Sequence, residues 1–208
     1  MNVARTPTAL ARSTPTATTW SDTWKWVAAA GACLFLAWFP LVRDTRVPLL
    51  GLVDLGFHEL GHLLTYPLPD LWTAAMGSIT QIAVPLGLGI YFVWLRSDAA
   101  SGAVCLAWAG TSAVDASVYI ADAPIQQLEL IGGHHDWAFV LGRLDALGAA
   151  GSIAAIVKVG GALLVLAGLG CCAFGWWRQR SEGERLRRLD AAMSVRAVAV
   201  GIDAPPAP

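Results

Sequence analysis

Charged residues are scarce in this chain, and their scarcity limits the classes of protein to which it can belong. Only 14% of its 208 residues are Asp, Glu, Lys or Arg, whereas 56% are hydrophobic. A soluble domain carries about 25% charged residues, so this composition is typical of a membrane protein. The formal net charge is −1, which offers no basic surface for nucleic acid. We therefore expect an integral membrane protein that contacts lipid and has no nucleic-acid partner.

Cysteine and histidine are also rare, with four residues of each in the chain. Two of the cysteines are adjacent, and adjacent cysteines rarely bridge each other, so we expect free thiols. The histidines fall into two clusters, His58 with His62 and His134 with His135. Two clusters meet in space more easily than four scattered residues would.

Long apolar runs predict five membrane-crossing helices, because about 20 apolar residues span a bilayer. The predicted spans are Trp26–Val42, Val47–Tyr66, Ser78–Leu95, Ser101–Ile120 and Ile153–Trp177. The expected fold class is all-α, a polytopic membrane helical bundle of about five transmembrane helices. Its membrane-embedded domain covers residues 24–177. We expect a disordered N-terminal tail over 1–23 and a basic, mostly disordered C-terminal tail over 178–208.

The distribution of arginine predicts how the bundle is oriented. Five arginines lie between Arg178 and Arg188, which by the positive-inside rule places the C-terminus in the cytoplasm. With five spans, the N-terminus then lies on the outer side.

The second apolar run contains His58-Glu59-Leu60-Gly61-His62, an HExxH motif of the kind found in zinc peptidases. Histidines four residues apart share one face of a helix, so both imidazoles can bind one Zn²⁺, and the glutamate can act as a general base. Ionisable residues are costly in lipid and therefore indicate function. At about 1.5 Å per residue, a helix that enters near Arg46 places His58 roughly 18 Å deep, nearer the outer side.

A catalytic zinc site needs a third protein ligand besides an open position. His135 is the favoured candidate, with Asp136 orienting it, and Asp115 or Asp136 is the alternative ligand. Asp115 lies in the fourth predicted span at about 28 Å along its helix, close to the depth of His62. Asp122 follows on the same face, where it can ligate, orient a ligand or line a cavity.

Three further residues are predicted to support the motif. Asp54 lies four residues before His58 and can accept its second N–H, or line a polar cavity. Gly61 removes bulk beside the histidines, which admits another helix or a substrate backbone. Gln81 lies four residues before Pro85, where a kink would expose polar backbone, or it joins two helices by hydrogen bonds.

The membrane-embedded HELGH motif followed by apolar helices resembles the site-2-protease class of intramembrane zinc metallopeptidases, peptidase family M50 in the broad sense. The segments FHELGHLL, GSITQIAVPL, DASVYIADA and GGHHDWAFVLGRL are similar to a group of bacterial M50-like membrane proteins. The similarity covers roughly Arg46 to Leu147. It implies that His58 and His62 bind zinc, that Glu59 is the general base, and that the protein lies in the bacterial inner membrane. The class usually takes its third ligand from an Asn-Pro-Asp-Gly-type motif, which this chain lacks.

The function expected from these observations is zinc-dependent intramembrane proteolysis, the hydrolysis of a peptide bond within or next to the bilayer. The substrate would be a membrane protein or a peptide. Two alternatives remain, a metal-binding or metal-transport membrane protein, and a catalytically inactive M50-like partner protein.

Overall fold

A computed structural model of the chain describes residues 20–130 and 133–199, and these residues contain helices but no strands. The helices are α1 (Trp20–Trp38, extended by a π-helical turn at Phe39–Arg43), α2 (Leu50–Thr65), α3 (Asp70–Ile90, extended by a π-helical turn at Tyr91–Leu95), α4 (Ala99–Asp122), α5 (Asp136–Arg143) and α6 (Ala150–Ala199). A short 3₁₀ turn at Leu147–Ala149 precedes α6. The prediction of an all-helical bundle is confirmed over the described residues.

Four helical segments in the described part of the chain are long and apolar enough to cross a membrane: Thr23–Arg43, Asp70–Leu95, Ala99–Asp122 and Leu147–Arg196. The structure differs from the prediction of five spans at the second one. The helix there, α2, has only 16 residues, which is about 24 Å of helix, short of the roughly 30 Å apolar core of a bilayer. The helix that carries the HELGH motif is therefore shorter than the helices around it.

The tails also differ from the predictions. Arg178 to Ala199 were expected to be mostly disordered, but they continue α6, which reaches 50 residues. Their Arg, Glu, Leu and Ala residues favour helix, and Arg178 bonds Glu182 one turn later at 2.9 Å. The predicted N-terminal tail lies outside the described residues up to residue 19, and α1 already begins at Trp20.

Helix α4 forms the centre of the bundle. Two thirds of its apolar stretch is buried, against about a fifth for each of the other three candidate spans. Small residues such as Ala103, Ala107, Ala109 and Ala113 make up most of its buried surface, so that α1, α3 and α6 approach its backbone closely.

The outer surface of the bundle is apolar. Large side chains such as Phe35, Trp94 and Leu166 are 58%, 77% and 60% exposed. A water-soluble protein does not normally expose so many large apolar side chains, whereas in hydrocarbon they are the favoured surface. The described cysteines are all free, as expected.

The two ends of the bundle differ in charge and in packing. At one end, Trp26 of α1 donates a 2.7 Å hydrogen bond from Nε1 to Oε1 of Gln179, at the start of the arginine-rich part of α6. At the other end, α5 covers the end of α4 and the start of α6, through Leu141, Ile120 and Ala150. The start of α1 therefore lies beside the basic part of α6, whereas five spans would place them at opposite ends.

The packing of α6 on α4 leads to a first prediction, a contrast between two adjacent glycines. A Cβ at Gly161 would lie 2.6 Å from the carbonyl oxygen of Gly110, whereas a Cβ at Gly160 would meet nothing within 4 Å. Gly161→Ala should lower stability by about 1–3 kcal/mol through overpacking. Gly160→Ala should raise it by about 0.5–1 kcal/mol, as alanine does in a helix with room for it. Thermal unfolding in detergent measures both, and equal effects would contradict the described helix contact.

Candidate metal centre

The two histidines of the HELGH motif direct the same ring atom at one carboxylate. His58 and His62 lie one turn apart on α2, with their ring centres 4.7 Å apart. Nε2 of His58 is 3.0 Å and Nε2 of His62 is 3.2 Å from Oδ2 of Asp136. These three residues are the one group within the described ranges whose donor atoms lie close enough together to hold a metal ion.

The opposite nitrogen of each ring faces a carbonyl-type oxygen. Nδ1 of His58 lies 3.1 Å from Oε1 of Gln81, and Nδ1 of His62 lies 2.8 Å from the backbone oxygen of Thr73. The amide of Gln81 is itself oriented, because its Nε2 donates to the carbonyl of Ser112 at 3.1 Å. Both Nδ1 atoms must therefore carry a proton, since their neighbours can only accept.

This assignment determines what the Nε2 atoms can do. In a neutral ring with a proton on Nδ1, Nε2 carries a lone pair, and two such lone pairs would face a carboxylate oxygen. Lone pairs do not attract a carboxylate, so the arrangement favours a cation between these atoms. A proton on one Nε2 would satisfy that ring alone and leave the other lone pair facing the carboxylate, whereas one metal ion would contact all three donors. A donated Nδ1–H with a free Nε2 is the usual arrangement of a metal-binding histidine.

Asp136 is held in place by Tyr119 of α4. The tyrosine hydroxyl accepts the backbone N–H of Asp136 at 2.9 Å and donates to its Oδ2 at 3.2 Å. Burial alone would raise the pKa of Asp136, but its contacts with His58, His62 and Tyr119 hold that pKa below the ordinary value. The carboxylate is therefore ionised at neutral pH, as a metal ligand must be.

Two glycines allow α2 and α3 to approach at the site. A Cβ at Gly61 would clash with the carbonyl oxygen of Met76 and lie 2.6 Å from Oγ1 of Thr80. A Cβ at Gly77 would lie 2.6 Å from Nε2 of both His58 and His62. The expectation that Gly61 admits a neighbouring helix is confirmed, and Gly77 leaves open the space beside the two donor atoms.

A cavity of about 310 Å³ opens beside the three donors. Glu59 lines it together with His58, His62 and Asp136, and it is exposed to the cavity rather than packed into the core. Glu129, Leu130 and His134 of the loop between α4 and α5 also line it. The general base expected from the sequence thus shares one chamber with the candidate ligands.

The expected third ligand, His135, is not with the other histidines. Its Nδ1 accepts the N–H of Ala138 at 3.2 Å and so caps the start of α5, while its Nε2 lies 3.3 Å from Asp122. Its ring stacks on Tyr119 at 4.3 Å. The predicted roles are therefore exchanged: Asp136, kept as an alternative ligand, lies with His58 and His62, and His135 supports its position.

The remaining candidate residues also have other partners. Asp115, the other alternative ligand, lines the cavity but pairs with Arg46 at 2.6 Å. Asp54 accepts a 2.8 Å hydrogen bond from Trp108 instead of orienting His58. Asp122 accepts the backbone N–H groups of residues 127 and 128 and so holds the loop after α4.

Sequence reasoning identified Gln81 as a residue that joins helices, but it missed Thr73, Gly77 and Tyr119. A signal for two of them was present. Thr73, Gly77 and Gln81 are four residues apart, so they form one stripe of α3, and this stripe contacts both histidines. Tyr119 lies four residues after Asp115 and so shares a face of α4 with this candidate ligand, but no local pattern indicates that it reaches Asp136 of α5.

Comparison of the chain with models of protein families, with curated proteins and with solved structures finds no match.

The exchange of roles between His135 and Asp136 can be tested by metal content. Asp136→Ala should reduce metal affinity by at least about 100-fold, because it removes the carboxylate that both Nε2 atoms face. His135→Asn should retain the metal, since asparagine also caps a helix, and Asp115→Asn should retain it as well. Mass spectrometric metal analysis of the purified variants is the measurement. Metal retained in Asp136→Ala but lost in His135→Asn would show that His135 is the third ligand, as the sequence predicted.

Gly77 leads to a second prediction at this site. Gly77→Ala should reduce metal affinity by about 10- to 100-fold, because its methyl group would displace both histidine rings. Gly87→Ala, in the same helix, is the matched control, because a Cβ there would meet nothing within 4 Å. Equilibrium titration with Zn²⁺ measures both variants, and equal affinity in the two would contradict the described position of the rings.

Proposed function

We propose that the protein is a zinc-dependent endopeptidase that hydrolyses a peptide bond within or next to a membrane. The observation that carries this proposal is the convergence of two histidine Nε2 atoms on one oxygen of Asp136, in the same cavity as the carboxylate of Glu59.

Zinc is the ion that the donor set fits best. Two imidazole nitrogens and one carboxylate oxygen are typical of catalytic zinc sites, which keep a fourth position open. Bonds of about 2.0–2.1 Å in a tetrahedral site place neighbouring donor atoms roughly 3.3 Å apart. The Nε2 to Oδ2 distances of 3.0 and 3.2 Å are close to that value, so His58, His62 and Asp136 would be able to hold the ion. When bound, zinc supplies Lewis-acid activation of a water molecule and of a carbonyl group.

Glu59 is the general base in this proposal. It takes the proton of the attacking water and passes it to the leaving amine, a role that contributes about 10²- to 10⁴-fold to a rate. Tyr119 and Gln81 hold Asp136 and His58 in place, and Thr73 holds His62. These partners keep the donors in position, which a catalytic site requires.

The membrane location is proposed from the apolar surface and from four candidate spans. The arginine-rich part of α6 lies at the end of the bundle away from the metal centre, so the positive-inside rule places that end in the cytoplasm. The metal centre is then nearer the outer face of a bacterial inner membrane. With four spans, the start of α1 is cytoplasmic too, since Trp26 bonds Gln179.

The resemblance to site-2 proteases supports the same reaction and leaves one difference. In this chain the carboxylate ligand comes from the start of α5, beyond the end of α4, and not from an Asn-Pro-Asp-Gly-type motif within a later span. The substrate class that fits is a membrane protein or a peptide at the membrane surface, because the cavity lies beside α5 and the loop before it.

The test of this function separates metal binding from catalysis. Glu59→Gln should keep about one zinc per chain and lose about 10²- to 10⁴-fold in cleavage rate. Cleavage is measured with the protein in liposomes, on a panel of single-span peptides that carry a fluorophore and a quencher. Glu182→Gln, the same change at the opposite end of the bundle, is the control and should cleave at the wild-type rate.

Other outcomes would contradict the proposal. Unchanged turnover in Glu59→Gln would exclude its role as the base, and wild-type protein without zinc would exclude the metal centre. Zinc uptake by the liposomes that survives Glu59→Gln but fails in Asp115→Ala would indicate metal transport instead. Bound zinc without cleavage of any peptide in the panel would indicate an inactive partner protein.

A further inference from the structure

A second cavity lies at the basic end of the bundle, far along α6 from the metal centre. It has a volume of about 580 Å³ and is formed between the start of α1 and residues 179–187 of α6. Trp24 and Val27 of α1 form its apolar wall, and Arg180, Arg187 and Glu184 of α6 form its charged wall. Two arginines against one glutamate leave this cavity with net positive charge.

Gln179 adds an unsatisfied donor to the same wall. Its Oε1 accepts the 2.7 Å hydrogen bond from Trp26, which fixes the orientation of the amide group. Nε2 is the donor of the same amide. That Nε2 is buried and has no hydrogen-bond partner, although its side chain lines the cavity. A buried amide N–H without a partner is destabilising, so a phosphate oxygen that binds beside Gln179 would supply the missing acceptor.

The cavity lies where the apolar part of α6 ends. The apolar run extends to Trp177, and Arg178 begins the charged part of the helix. The guanidinium of Arg180 lies 4.4 Å from the ring centre of Trp176 and forms a cation–π contact with it. Tryptophan at the end of an apolar span is typical of the headgroup region of a bilayer.

From these observations we propose that the cavity binds the headgroup of an anionic glycerophospholipid. The phosphate accepts hydrogen bonds from Arg180, Arg187 and Nε2 of Gln179, and the glycerol and upper acyl chain pack on Trp24 and Val27. The volume is in the range of cavities that hold small organic ligands and is much larger than one inorganic phosphate needs. This proposal depends on the membrane location and does not depend on catalysis at the metal centre.

The test compares two lipids with the same acyl chains. Purified full-length protein in detergent is titrated with phosphatidylglycerol and, separately, with phosphatidylcholine, and native mass spectrometry counts the bound molecules. We expect phosphatidylglycerol to bind at least about 10-fold more tightly. The double variant Arg180→Gln with Arg187→Gln should weaken that binding about 30-fold, since each charge contributes roughly 5-fold. Gln179→Glu, which removes the donor and adds negative charge, should also weaken it.

The controls distinguish a defined site from general attraction. Arg188→Gln changes the residue next to Arg187 outside the cavity lining, so phosphatidylglycerol should bind it as tightly as wild type. Glu59→Gln should also bind as wild type, whatever its peptidase activity. Equal binding of the two lipids, or an equal loss in Arg188→Gln, would overturn the proposal. Displacement by inorganic phosphate alone would show a site for a free anion and overturn the lipid assignment.

Discussion

The candidate metal centre depends on one arrangement of charge, in which two imidazole nitrogens face a single carboxylate oxygen. Gln81 and Thr73 require a proton on Nδ1 of each ring, so each Nε2 presents a lone pair to the carboxylate of Asp136 unless a cation lies between them. A divalent ion would contact all three groups at once, whereas a proton on one ring would satisfy that ring alone. Asp136 is itself anchored by Tyr119 of α4.

Glycine packing makes this arrangement possible. Gly61 lets the backbone of α3 approach α2, and Gly77 keeps side-chain atoms away from the space beside the histidines. Gly110 and Gly161 have the corresponding function between α4 and α6, which keeps Tyr119 on a firmly packed helix. Close helix contacts of this kind replace the hydrophobic driving force where the outer surface of a bundle is itself apolar.

Most of the fold could be predicted because a long run of apolar residues indicates a long helix. The runs that form α1, α3, α4 and α6 were identified. The observed helices differ from the predicted spans at their ends where polar residues also favour helix, as in Arg178–Ala199. The error at α2 has a different cause. Its run is apolar enough for a span, but local turns beside Pro48 and Pro67 end the helix before Leu50 and after Thr65.

The sequence by itself determined the parts of the site that lie within one helix. His58, Glu59 and His62 are related by helical periodicity, and that relation holds in any fold that keeps α2 helical. Only the tertiary structure decided which residue completes the site. His135 has extended backbone and Asp136 begins α5, so neighbouring side chains point in different directions and only one can reach the histidines. Which one does so depends on how α5 packs on α3 and α4, a relation between distant segments that no local pattern contains.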